Sequence, residues 1–260
     1  MNTTPLDVLP LGLLFVVVCG ISYLLLEAGY RLGRWRHARS TEEKETPVGA
    51  MVAAILALFA FMLAFAFGMA ADRFEKRRQT VLDEANAIGT TYLRAKQLPE
   101  PQRGESTRLL REYAYVRIRA ISERKVLEAK ARSEEIHELL WAQASAAVEK
   151  SRDPITGLYI QSLNQMIDLH GVRVHVGMRN RIPMAIWWGL LVLAGMSMAS
   201  VGYQAGLSAT RRSPAMAVLV VAFSSVILLI ADLDRPMEGL MVVGQEAMID
   251  LQTSMKTGRP

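Results

Sequence analysis

The chain has 260 residues, 51% of them hydrophobic and 21% charged, with a formal net charge of +5 and a mean hydropathy of +0.19. It is too apolar for an ordinary water-soluble domain and too charged to lie wholly in lipid, so apolar and charged segments must be segregated along it. A single cysteine, Cys19, excludes an intrachain disulfide and a cysteine-rich metal site.

Apolar runs at about residues 8–26, 48–71, 184–207 and 215–231 each approach the roughly 20 residues that a helix needs to cross a bilayer. They predict an all-α membrane protein with four transmembrane helices and a long helical extramembrane domain between the second and third spans. Before the first run the only charge is Asp7, and no small-residue cleavage site follows it, so the run reads as a span rather than a signal peptide. It ends in Glu27-Ala28-Gly29-Tyr30-Arg31-Leu32-Gly33-Arg34-Trp35-Arg36, a basic and aromatic run suited to the headgroup level, and a loop continues to Pro47.

The second run carries no charge and passes directly into Asp72-Arg73-Phe74-Glu75-Lys76-Arg77-Arg78. Within it Ala53, Ala57, Ala60, Ala64, Gly68 and Ala71 recur at helical steps and leave one face almost bare backbone. In lipid, helices associate by packing and not by the hydrophobic effect, so a bare face favours a close neighbour. Phe61, Phe65 and Asp72 fall on a stripe beside it, whereas Phe59 points nearly the opposite way, towards lipid or another helix.

Phe74, Val81, Ala85, Ile88, Tyr92 and Ala95 extend the helical period to about Leu98, where Pro99 and Pro101 stop it. A second long helix is predicted from about Arg103 to Lys150, with Leu109, Tyr113, Val116, Ala120 and Leu127 in heptad-like steps, then Ile136, Leu140, Ala144 and Ala147. Asp153-Pro154 reads as an N-cap followed by proline at the first helical position, opening a helix with a stripe of Tyr159, Leu163, Met166 and Leu169. Arg179, Arg181, Pro183, Trp187 and Trp188 mark re-entry, and Gly195, Ala199, Gly202 and Gly206 give the third span a small face of its own. The expected segments are thus 1–71, the first two spans; 72–182, the helical domain; 183–234, the last two spans; and 235–260, an amphipathic tail.

With four spans, both termini share the side of the large domain. Charge does not decide which side that is: Arg31, Arg34, Arg36, Arg39, Lys44, Arg211 and Arg212 face one way, and Arg73, Lys76, Arg77, Arg78, Arg173, Arg179, Arg181 and Arg235 the other. Because the basic residues sit near membrane boundaries or alternate with glutamate, anionic lipid headgroups are the expected partner and nucleic acid is not.

No metalloprotease, hydrolase, phosphate-binding or Cys-x-x-Cys motif is present, so no enzymatic activity, metal or cofactor is expected. His37, His137, His170 and His175 read as solvated or hydrogen-bonded; the last two are five apart, poorly spaced for one metal on one helix face. Asp72 and Arg73 after the second span and Asp232, Asp234 and Arg235 after the fourth must share a membrane side and can form ion pairs. For Phe61 and Phe65 the plain reading is helix packing. If several copies placed their stripe around an axis, the rings would form a constriction that gates by dewetting, with Asp72 and Arg73 at its mouth.

The run Phe65-Ala66-Phe67-Gly68-Met69-Ala70-Ala71-Asp72-Arg73-Phe74-Glu75-Lys76-Arg77-Arg78, followed by Asp83-Glu84-Ala85-Asn86-Ala87-Ile88-Gly89-Thr90, resembles the bacterial bestrophin-like membrane proteins. So do Gly29-Tyr30-Arg31-Leu32-Gly33-Arg34, Leu163-Asn164-Gln165-Met166-Ile167-Asp168-Leu169-His170, Arg181-Ile182-Pro183, Gly202-Tyr203-Gln204-Ala205-Gly206 and Asp232-Leu233-Asp234-Arg235-Pro236, so the likeness covers nearly the whole chain. The resemblance implies a homo-oligomeric ion channel, a pentamer, with the second span lining the pore through Ala57, Phe61, Ala64, Phe65, Gly68 and Asp72. It also implies a bacterial inner membrane and cytoplasmic termini. The acidic calcium clasp of animal bestrophins has no convincing counterpart here, although Asp232, Asp234 and Glu238 are nearby, so calcium gating is not expected. The sign of the permeant ion stays open, since Asp72 and Glu75 stand beside Arg73, Lys76, Arg77 and Arg78. The alternative from another class is a non-conducting membrane scaffold that binds a partner through the long helices and packs its second span inside its own four-helix bundle.

Overall fold

The computed structural model describes residues 9–39, 45–122, 125–151, 153–178, 180–208, 213–235 and 239–257. Lys44, Arg179, Arg211, Arg212 and Glu238, named above as boundary or span-end charges, lie outside them. The described residues form eight helices and no strand: α1 (Leu11–Arg39), α2 (Glu45–Ala95), α3 (Gln102–Ser122), α4 (Val126–Lys150), α5 (Pro154–Met178), α6 (Met184–Leu207), α7 (Pro214–Asp234) and α8 (Glu246–Thr257). Four of these, α1, α2, α6 and α7, are long and apolar enough to cross a membrane, as expected. The chain divides into two compact units, one of Met1–Phe74 with Arg181–Met241, the other of Glu75–Asn180 with Val242–Pro260.

In the first unit, α1 packs on α6 and α7. The α1–α6 contact is built on glycine. A Cβ on Gly29 would lie 2.0 Å from the Ala199 carbonyl oxygen and one on Gly33 2.2 Å from that of Tyr203; reciprocally, a Cβ on Gly202 would lie 2.0 Å from the Leu26 oxygen and one on Gly206 2.2 Å from that of Tyr30. Two glycine pairs, each spaced by four, therefore let two backbones touch. The small face of α6 serves close packing as its sequence predicts; its partner, the Gly29/Gly33 pair of α1, is readable in hindsight from the same spacing. The buried flank of α2 (Phe59, Leu63, Ala66 and Ala70) joins Trp187, Leu190, Ile227 and Ile230 in one apolar cluster. Phe59 is wholly buried with its ring centroid 4.9 Å from that of Phe223, which resolves its two options in favour of a helix. Ser213 caps α7, its Oγ accepting from Ala215 N at 3.2 Å ahead of Pro214.

The second unit gathers α2 from Glu75 onward with α3, α4, α5 and α8. Its core joins Ile88, Leu109, Tyr113, Ile136, Leu140 and Leu163, and Met248 and Met255 of α8 are buried in the same cluster. Each such methionine contributes about 1.5–3 kcal/mol by leaving water. Asp153 caps α5 as predicted, its Oδ1 accepting from Thr156 N at 2.7 Å. The helix predicted to run from Arg103 to Lys150 is in fact two: α3 ends at Ser122, α4 begins at Val126, and the two pack on each other. In sequence the apolar stripe lapses over Ser122-Glu123-Arg124-Lys125. Leu127, placed on the stripe by sequence, is 66% exposed. α2 also ends at Ala95 instead of Leu98, tightening into i→i+3 bonds from Gln97 and Leu98 because the residue before Pro99 avoids helical backbone.

Candidate functional site

One flank of α2 stands exposed among the described residues of the first unit. Ala53, Ala57, Ala60, Ala64, Gly68 and Asp72 are exposed, Phe61 is 67% and Phe65 53% exposed, and a Cβ on Gly68 would meet nothing within 4 Å. Helix α6 behaves differently. Both helices carry small residues at helical spacing, but α6 spends its bare face on α1 while α2 turns only its Phe59–Ala70 flank inward. The open flank offers aromatic edges, bare backbone and a terminal carboxylate, the ingredients of an apolar passage with a charged rim.

At the ends of the spans, the charges are tied to specific partners. Asp234, buried at the end of α7, accepts from Arg181 Nε and from Ile182 N, both at 2.9 Å, which fastens the entry to α6. Asp232, equally buried, accepts from Leu240 N at 2.8 Å and Met241 N at 3.1 Å. The loop reaches it through Gly239, where a φ of +148° and the Asp232 carboxylate, 2.0 Å from where a Cβ would stand, leave no room for a side chain. Arg235 donates to the Leu9 carbonyl at 2.7 Å, and Arg73 donates back to the Met69 carbonyl of its own helix at 3.1 Å. Asp72 is exposed. Among the described residues, no cluster of histidine, cysteine and carboxylates is placed to hold a metal.

The second unit contains a polar centre that the sequence did not single out. Glu84 of α2 is fully buried and accepts from Tyr113 Oη at 2.7 Å, pairs with Arg117 Nε at 3.0 Å and receives Arg173 Nη1; Arg173 also donates to Gln245 Oε1 at 2.8 Å. Arg173, counted from sequence among the boundary charges, is instead a buried partner of Glu84. Burial alone would push the Glu84 carboxyl up, but the guanidinium groups of Arg117 and Arg173 and the Tyr113 hydroxyl hold it below the usual carboxylate range. Burial, and then Glu84, push the Tyr113 phenol well above its ordinary value. A signal was available: Glu84 sits three residues after Val81 and four before Ile88, on the apolar stripe itself.

Two histidines complete this centre. The His137 and His170 rings meet edge to face at 4.9 Å, both against Tyr113, and His170 Nδ1 lies 3.1 Å from Tyr113 Oη. With the Tyr113 hydroxyl donated to Glu84, its oxygen accepts from His170 Nδ1–H, which fixes the tautomer and leaves Nε2 without a donor. Burial chiefly, with help from the Arg117 charge, lowers both imidazoles from 6.5 to about 4. The unfolded chain therefore binds more protons across that interval, and stability must fall as the pH drops from 6.5 towards 4. About 1–3 kcal/mol per imidazole is expected, read as a lower melting temperature in detergent at pH 5 than at pH 7.5. A His137→Asn, His170→Asn variant should show a flatter profile between these two pH values, whereas an unchanged one would show that the two imidazoles do not carry the loss. Glu84 and Glu134, held below the usual carboxylate range, contribute only at lower pH.

Residues 14–248 match the family model described as Bestrophin-like domain. No curated protein and no solved structure matches the chain.

Proposed function

Because the chain belongs to the bestrophin-like family, we propose that it is a homo-oligomeric ion channel, a pentamer, whose α2 helices surround the ion path. Ala57, Phe61, Ala64, Phe65, Gly68 and Asp72 line it, with the two phenylalanines as the constriction. The observation that carries this reading is the open flank of α2: among the described residues its small residues and Phe61 and Phe65 are exposed, while Phe59, Leu63, Ala66 and Ala70 are buried in the apolar cluster. A scaffold whose second span closed inside its own bundle would have covered that flank.

In this reading the second unit is extramembrane, it and both termini face the cytoplasm of a bacterial cell, and Asp72 and Arg73 set the charge at the mouth. A ring of phenylalanine holds water and ions back by dewetting, so removing it lowers the barrier. Liposomes carrying the Phe61→Ala, Phe65→Ala variant should pass ions about tenfold faster than wild type, equivalent to about 1.4 kcal/mol of barrier. Absence of flux from both proteins, or a particle mass in mild detergent below four subunits, would remove the channel reading.

A further inference from the structure

A groove of about 490 Å³ opens on the first unit between α1, α2 and α6. Its walls are Ala28 and Leu32 of α1 and Val48, Met51 and Ile55 of α2, and its floor includes Ser200 of α6. At 100° per residue, Val48 and Ile55 lie across α2 from Ala57, Ala64 and Gly68, and Met51 stands between them and Phe65. The centre of the groove therefore points away from the centre of the flank assigned to the ion path.

Two features identify its occupant. The groove lies at the end of one hydrocarbon-length span and the start of the next, where an apolar recess is filled by acyl chain because no water competes for it. The wall formed by α1 then continues, on the same helical stripe, into Trp35, Arg36 and Arg39, three, four and seven residues beyond Leu32. At 1.5 Å per residue the two arginines stand about 6 and 10 Å past the apolar rim, the distance over which a lipid changes from acyl chain to phosphate. Trp35 is 49% exposed and the Arg39 guanidinium stacks over its ring at 4.2 Å, a cation held at the depth where indoles anchor.

The geometry points to a binding site for one anionic phospholipid, an acyl chain lying in the α1–α2–α6 groove and the phosphate held by Arg36 and Arg39. Guanidinium groups match phosphate oxygens in a bidentate fork, which separates an anionic headgroup from a zwitterionic one whose own amine competes.

Native mass spectrometry of the purified protein in mild detergent tests this with phosphatidylglycerol and phosphatidylcholine of the same acyl chains. Wild type should retain phosphatidylglycerol about tenfold better. Arg36→Gln with Arg39→Gln should bring the two lipids level while leaving the remaining phosphatidylcholine signal intact, and Ala28→Leu, which fills the groove, should reduce both. Equal retention of the two lipids by wild type overturns the site. So does an undiminished preference in the double arginine variant, which would leave those arginines the lesser role of balancing the α1 helix dipole.

Discussion

Exchange of Glu84 for glutamine is expected to cost the second unit about 3–5 kcal/mol, because it leaves the guanidinium groups of Arg117 and Arg173 buried without a counter-charge. The mechanism predicts a graded series. Tyr113→Phe removes one hydrogen bond to the same carboxylate and should cost about 1 kcal/mol. Replacing Glu84, Arg117 and Arg173 together by methionine removes the desolvation penalty along with the attraction and should be far milder than the single exchange. Thermal or denaturant unfolding monitored by circular dichroism reads all three. A Glu84→Gln loss below about 1 kcal/mol would mean that water reaches the arginines and that the centre is not dry.

The second large effect is expected at Gly202. A single methyl there would sit 2.0 Å from the Leu26 carbonyl oxygen, and the obstacle is backbone, which cannot rotate away. Gly202→Ala must therefore push α1 and α6 apart along their whole shared face, at about 3 kcal/mol or more on the scale of overpacked interiors, and Gly202→Val should prevent a stable fold. Gly20→Ala, on α1 where a Cβ meets nothing within 4 Å, is the matching control. It should stabilise by about 0.5–1 kcal/mol through the ordinary helical preference for alanine. The measurement is melting temperature by fluorescence-detected gel filtration. Equal behaviour of the two variants would show that glycine contact does not hold the first unit together.

Particular residues explain what could be read in advance. The four span-length helices and the α5 cap were legible because each is a local signal, an apolar run or an Asp-Pro pair, that needs no knowledge of its partners. The break between α3 and α4 was not, because a helical period can be continued on paper across Leu127 even though the fold leaves that side chain in solvent. Glu84 was half legible. Its place between Val81 and Ile88 puts it on the buried stripe, unlike its neighbour Asp83, but nothing local announces that Arg117 and Arg173 arrive from other helices to balance it. Phe61 and Phe65 are the converse case, an aromatic stripe visible in sequence whose exposure in the chain now invites an experiment.

The glycine contact between α1 and α6 also bears on how the protein is made. About 145 residues separate the end of α1 from the start of α6. On a translating ribosome the first helix therefore enters the bilayer long before the surface it must grip has been synthesised. Until then its notch is filled only by lipid, and the delay opens a window in which a wrong helix, or an insertase, can occupy it.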